Sequence, residues 1–296
     1  MLRFKQIALA SRTVLALLTL AASARAGDLS LDVQPAARRV AQGGFVIATL
    51  RAASEMTATC HWLNGRYPMF SEGESLSAVL PTTYDTPPGW HALGVSARRS
   101  GDPAEAVWLE KKVFVLAVQF PVQRVRMGKS KLKLYTDARI RREYALIGKA
   151  LNSATSRRSW TLPFDMPVPG PISARYGLKR VMGGKLRTRH RGVDMAAGMG
   201  QPVGACAAGT VALAASDFIL HGKTVVIDHG WGVCSLYLHL QEILTEEGKS
   251  VEKGETIGLA GSTGAATGPH LHFAVYVRSR PSDPVSWLKA SRFGLP

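Results

Sequence analysis

The sequence predicts a mainly β protein: an N-terminal Ig-like β-sandwich, a C-terminal antiparallel β domain, and one helix connecting them. Three observations carry this. Short apolar runs recur between turns rich in Gly, Pro and Asn along most of the chain. Only one stretch, Thr136 to about Asn152, has the apolar rhythm of a surface helix. Strands and helices never alternate, which argues against a parallel α/β sheet.

The first elements concern export. Arg3, Lys5 and Arg12 form a positive n-region, Val14 to Ala22 is a short apolar run, and Ala24-Arg25-Ala26 precedes Gly27. Residues 1–26 therefore read as a cleaved secretory signal peptide, and their apolar run is too short for a membrane-spanning helix. No cysteine follows the cleavage site, so no lipid anchor is expected, and no other stretch is expected to span a bilayer. The expected location is periplasmic or secreted.

Residues 27–124 carry the sandwich pattern. Phe45 to Leu50 is apolar after Gly43-Gly44, Asn64-Gly65 signals a hairpin, and Trp90 to Ala97 follows Pro87-Pro88-Gly89. Val107 to Leu109 and Val113 to Val118 close the set. His61 and His91 stand among aromatics without acidic companions and read as structural. Residues 125–159 hold the helix and a polar linker, Ser153 to Arg158. Ile140, Tyr144, Ile147 and Leu151 form its apolar stripe, and Thr136 is placed to cap it. From 160 to 296 the chain is β and rich in glycine. Thr224 to Asp228, Ser235 to Leu240 and Leu271 to Val277 are its best strands, and Val251 to Glu255 reads as a hairpin turn.

At 296 residues, 46% hydrophobic and 20% charged, the chain can bury sizeable cores. Its formal net charge is +16, and the signal peptide accounts for only part of this. A basic exported protein suits an anionic partner such as cell-wall polymer or lipid head groups, and not nucleic acid. Cys60, Cys206 and Cys234 include no C-x-x-C, so thiolates are not expected as metal ligands. Free thiols are expected; if a disulfide forms, Cys206 and Cys234 are the better pair.

Three clusters carry chemistry. His190-Arg191-Gly192-Val193-Asp194 places an imidazole and a carboxylate on one side of an extended segment, a suitable donor set for zinc. In Ser235-Leu236-Tyr237-Leu238-His239-Leu240, alternation predicts Ser235, Tyr237 and His239 on one face and the leucines in the core. In His270-Leu271-His272-Phe273, both histidines share the face opposite Leu271, Phe273, Val275 and Val277. The glycine-rich run Gly261 to Gly268 precedes them. Each cluster alone is weak; their order and spacing within one domain are specific.

In these motifs the segment from about Phe164 to Leu288 resembles the lysostaphin-type, or LytM-like, zinc metalloendopeptidases of bacterial cell walls. Gly170 to Gly177, Pro202-Val203 to Val211, Val225 to Gly230, Val251 to Gly254, Thr267-Gly268-Pro269 and Asp283-Pro284 fit as well. The resemblance implies a folded antiparallel sheet with a groove over one zinc ion. It implies His190, Asp194 and His272 as zinc ligands, His239 and His270 as catalytic histidines, and the peptide part of peptidoglycan as substrate, D-alanyl cross-links foremost. Ala274 stands where many members have Glu, and Lys223 where Asn is common, which bears on substrate preference. His221 and His229 are extra histidines expected in structural or supporting roles. The rival readings are a non-catalytic peptidoglycan-binding module or amidase activator, and a zinc carboxypeptidase removing terminal D-alanine. The N-terminal region is further expected to cover part of the groove or to position the enzyme; a regulatory protein partner is left open.

Overall fold

The computed structural model describes residues 29–51, 56–99, 106–125, 137–182 and 185–290. The expected signal peptide and the expected Thr136 cap lie outside the described residues. Among the described residues, no helix is long and apolar enough to cross a membrane.

The N-terminal part is two β-sheets face to face. One has the order Ser30–Gln34, Phe45–Arg51, Ser75–Pro81, Phe70–Glu72 and is antiparallel throughout. The other has the order Arg39–Ala41, Ala106–Leu116, Gly89–Arg99, Met56–Trp62, Gly65–Pro68. Its first two strands are parallel. Val46, Ala48, Leu50, Cys60, Trp62, Leu93, Val95 and Val113 fill the space between the sheets. The hairpin near Asn64-Gly65 forms one residue earlier than the sequence suggests. Trp62 pairs with Gly65, so Leu63 and Asn64 make the loop, and Leu63 takes a φ of 52°.

The run Phe45 to Leu50 is apolar but for Thr49 because its sheet is covered on both faces. Val46, Ala48 and Leu50 face the sandwich core, whereas Phe45, Ile47 and Val79 join the core of the C-terminal part. Phe45 stacks on Trp287 with ring centroids 4.0 Å apart. The Gly43 carbonyl accepts hydrogen bonds from the Ser282 hydroxyl and the Asp283 N–H. Val122–Val125 pairs in parallel with Lys179–Met182, so a strand leaving the sandwich becomes part of a C-terminal sheet.

The C-terminal part is organised on one antiparallel sheet. Its order is Ile172–Ala174, Val193–Met195, Leu271–Val277, Val233–Leu240, Lys223–Asp228, Gly209–Ala215, Ser250–Val251. Ser250–Val251 and Thr256–Leu259 do not pair with each other. The first pairs with Gly209–Ala215 and the second with Pro202–Gly204 and Glu242–Ile243. The turn between them therefore passes the chain from one sheet to another and closes no hairpin.

The helix runs Ile140–Leu151, and its buried residues are Ile140, Glu143, Ile147, Ala150 and Leu151. Tyr144, expected in the buried stripe, is 48% exposed. The helix packs on the C-terminal sheet against Leu213, Phe218, Leu236, Leu238 and Tyr276. The polar segment after it is also held there. Ser153 Oγ bonds the Asp228 carboxylate at 2.7 Å, and Ser156 accepts from the Trp231 indole at 3.0 Å.

Candidate metal centre and its groove

Register brings the candidate ligands together. Asp194 pairs with His272 across neighbouring strands, so both side chains stand on one face of the sheet. His190 precedes that strand and turns back through Arg191-Gly192. Gly192 is needed here: a Cβ would lie 2.3 Å from the Phe273 carbonyl oxygen. As a result His190 Nε2 lies 2.9 Å from Asp194 Oδ1, His272 Nδ1 lies 2.8 Å from the same oxygen, and the two nitrogens are 3.0 Å apart.

Among the described residues these three are the group that could hold a metal ion. The donors fit the task. Two imidazole nitrogens and one carboxylate oxygen suit zinc, and bonds of about 2.0–2.1 Å in a tetrahedron place ligand atoms about 3.3 Å apart. The three are nearly buried, at 2%, 8% and 9% exposure. His190 Nδ1 donates to the Arg175 carbonyl at 2.9 Å, so Nε2 is the ring nitrogen turned toward Asp194 and His272. Burial alone would raise the Asp194 pKa, but hydrogen bonds from His190 and His272 hold it well below the usual carboxylate range. Asp194 Oδ2 also receives the guanidinium of Arg180. Arg180 comes from the strand Lys179–Met182 and is braced by Gln123 at 3.2 Å, so the strand leaving the sandwich reaches the ligand set through one intermediate.

His239 and His270 face this cluster. Their rings lie 5.0 Å apart, and His239 is 6.4 Å from the His272 ring. His239 Nδ1 donates to Thr263 O at 2.9 Å and His270 Nδ1 to Gly268 O at 2.8 Å. Both Nε2 atoms are thereby available as bases. His270 Nε2 is 3.9 Å from Asp194 Oδ1. Burial, followed by the neighbouring His272 and His270, lowers the His239 pKa to about 3.

His239 reaches the groove by a route that alternation does not predict. Ser235 and Tyr237 point into the core, where the Tyr237 hydroxyl accepts from Cys206 N at 2.9 Å. Leu236 and Leu238 lie instead on the face of His272 and line the groove. The expected faces are thus reversed. His239 escapes the reversal because the pairing with Lys223–Asp228 slips between Lys223 and Val225, and its own φ is 65°. An extra residue in one strand re-aims a side chain in this way.

The groove has a volume of about 820 Å³ and is lined by both histidine sets, Arg180, Arg191, the loop Ala265–Pro269 and the helix residues Tyr144, Ile147 and Leu151. His221 also lines it. His229 lies in the core behind the sheet, 2.7 Å from Ser235 Oγ, and burial lowers its pKa to about 4. His61 and His91 stay in the sandwich, bonded to Ser96 Oγ and Pro87 O. All three cysteines are free and buried. Cys206 and Cys234 sit in cores on opposite faces of the sheet, which explains why they do not pair. Arg180 and Glu143 escaped the sequence reading. For Glu143 a signal existed: it falls three residues after Ile140 and four before Ile147, inside the apolar face.

An antiparallel sheet bearing two histidines and an aspartate in a groove, with two further histidines facing them, is the arrangement that the resemblance of the sequence implies. Residues 188–284 match the family model described as Peptidase family M23. A Haemophilus influenzae protein described as an uncharacterized metalloprotease is 40% identical over 103 residues, 35% of this chain and 22% of the relative. Peptidoglycan DD-endopeptidase ShyA of Vibrio cholerae is 44% identical over 92 residues, 31% of this chain and 21% of that protein. The chain thus matches about a fifth of the length of these curated relatives. A crystal structure of a candidate M23 peptidase from Pseudomonas aeruginosa aligns with 85% of this chain and 96% of its own, at 28% identity and a TM-score of 0.61.

Proposed function

We propose that the protein is a zinc-dependent endopeptidase that hydrolyses peptide cross-links of peptidoglycan, D-alanyl bonds foremost, after export from the cytoplasm. The observation that carries this reading is the opposition of two sets in one groove: the buried donors His190, Asp194 and His272, and the free Nε2 atoms of His239 and His270. Three protein donors leave one position of a tetrahedral ion open, as catalytic sites require. Bound there, zinc would act as a Lewis acid on the scissile carbonyl and activate the hydrolytic water.

The chain's own groups supply the rest. Arg180 fixes the second oxygen of Asp194, so Oδ1 is presented to the ion. The depressed pKa of His239 keeps its imidazole neutral, in the form that accepts a proton. His239 and His270 divide two tasks: taking the proton of the attacking water, and stabilising the developing oxyanion or returning a proton to the leaving amine. The groove floor of Leu236, Leu238 and Tyr276 excludes water beside the reacting atoms.

Digestion of purified peptidoglycan, with mass analysis of the products, tests the reading. Loss of cross-linked dimers, blocked by a chelator and restored by zinc, is expected. Release of terminal D-alanine alone would establish the carboxypeptidase reading instead. Intact dimers after treatment with zinc-loaded protein would refute both.

A further inference from the structure

The helix Ile140–Leu151 precedes the matched M23 segment, yet it lies on the same sheet face as the metal donors. His272, Ala274 and Tyr276 alternate on one strand, and Leu236 and Leu238 pair beside them. Ile147, Ala150 and Leu151 pack on that face together with Leu213 and Phe218. Lifting the helix would expose this apolar surface to water. It would also unmake a buried carboxylate site. Glu143 is 3% exposed, and its oxygens accept from the backbone N–H groups of Ile219, Leu220 and His221. They also accept from His221 Nδ1 at 2.7 Å. A buried carboxylate with four donors is well satisfied and costly to disrupt. The helix is therefore a standing wall of the groove rather than a lid.

The contact with His221 gives that wall a function. His221 lines the groove, with Tyr144 edge-on at 5.0 Å. Its carbonyl accepts from His239 N at 3.1 Å, so it adjoins the reacting centre. With Nδ1–H committed to Glu143, the remaining ring nitrogen carries a lone pair. Burial also lowers the His221 pKa, which favours the neutral ring. Building on the endopeptidase reading, we infer that Glu143 is a positioning residue: it holds His221 so that Nε2 accepts a hydrogen bond from a backbone N–H of the bound substrate peptide. The fixed helix places Tyr144 beside His221 in the groove lining, so the two form the subsite where the peptide meets the wall.

The test uses the full mature chain loaded with zinc, and soluble cross-linked muropeptide dimers from purified peptidoglycan as probe. His221→Phe keeps the ring's bulk and removes the acceptor. KM should rise about tenfold, the scale of one lost hydrogen bond, with kcat within about twofold and zinc retained. Glu143→Gln should raise KM in the same direction. Histidine ring-nitrogen NMR should show His221 protonated on Nδ1 in the native protein and mixed in Glu143→Gln. In His270→Ala, adding dimers should shift the His221 Nε2 resonance. An unchanged KM in His221→Phe, or a native His221 protonated on Nε2, would overturn the inference. If Glu143→Gln fails to fold, the native spectrum and His221→Phe decide the matter. If no form cleaves dimers, the endopeptidase reading fails, while the Nε2 shift still tests peptide binding at His221 and its absence refutes it.

Discussion

His239 is held in the left-handed region at φ 65°, where an L side chain crowds its own backbone. The groove-facing orientation of its ring depends on that conformation. Comparing His239→Ala with His239→Gly isolates its cost, because both lose the ring and differ only in Cβ. Left-handed backbone costs an alanine about 1–2 kcal/mol and a glycine almost nothing. In an ordinary strand glycine is instead the worse residue, by about 0.5–1 kcal/mol. At residue 239 the order should invert, with His239→Gly more stable than His239→Ala by about 1 kcal/mol. That corresponds to about 2–4 °C in the melting midpoint. Urea unfolding of both variants, in chelator to remove metal binding from the comparison, measures the difference. Both should have lost turnover. An alanine variant as stable as the glycine variant, or more so, would refute the left-handed bulge as the device that aims this histidine.

Other outcomes follow from the same structure. His190→Ala or Asp194→Ala should lose zinc and turnover together, whereas His270→Ala should keep zinc and lose turnover; elemental analysis beside a digestion assay checks both. A fragment beginning at Trp160 lacks Ile147, Ala150 and Leu151 and exposes Leu213, Phe218, Leu236 and Leu238. Its soluble yield should collapse, and a soluble, fully active fragment would show the helix to be dispensable. His229 is buried neutral with its pKa lowered to about 4. Its depressed folded value means the unfolded chain binds more protons between about pH 6.5 and 4. This contribution to stability is complete above about pH 6.5 and is lost as pH falls toward 4. Denaturant titrations across that range should show a shallower pH dependence for His229→Gln than for the native protein.

Much of the site was legible because metal donors sit at short, fixed spacings. His270 and His272 share a face by strand alternation, and Leu271, Phe273, Val275 and Val277 enter the core as the pattern requires. What periodicity could not supply was the bulge. Alternation read through Ser235 to His239 assigns the wrong face to Leu236, Leu238 and Tyr237, because both faces of this strand are covered and apolar residues occur on each. A one-residue slip then carries His239 across. The helix was legible, and Ile140, Ile147 and Leu151 are buried as its apolar stripe requires, but Tyr144 is half exposed and Glu143 is buried instead. Glu143 counts as polar in any pattern, and only the loop at Ile219–His221, distant in sequence, makes its burial favourable. Arg180 was invisible for a similar reason: its partner Asp194 is reached through a strand pairing whose other side comes from Val122–Val125.

The seam where Phe45 stacks on Trp287 also bears on the order of assembly. Its closing bond joins Ser282 to Gly43, 239 residues apart in sequence. A growing chain completes the sandwich first, so one side of that sheet remains bare while the rest of the polypeptide is still being made. Contacts of such long sequence separation form slowly, since a large loop must close before they yield any gain. The unfinished molecule therefore presents Phe45, Ile47 and Val79 as an adhesive patch and does not yet possess the groove. Hiding the patch and acquiring the groove are steps of one late event, which makes completion of the site and protection from self-association inseparable.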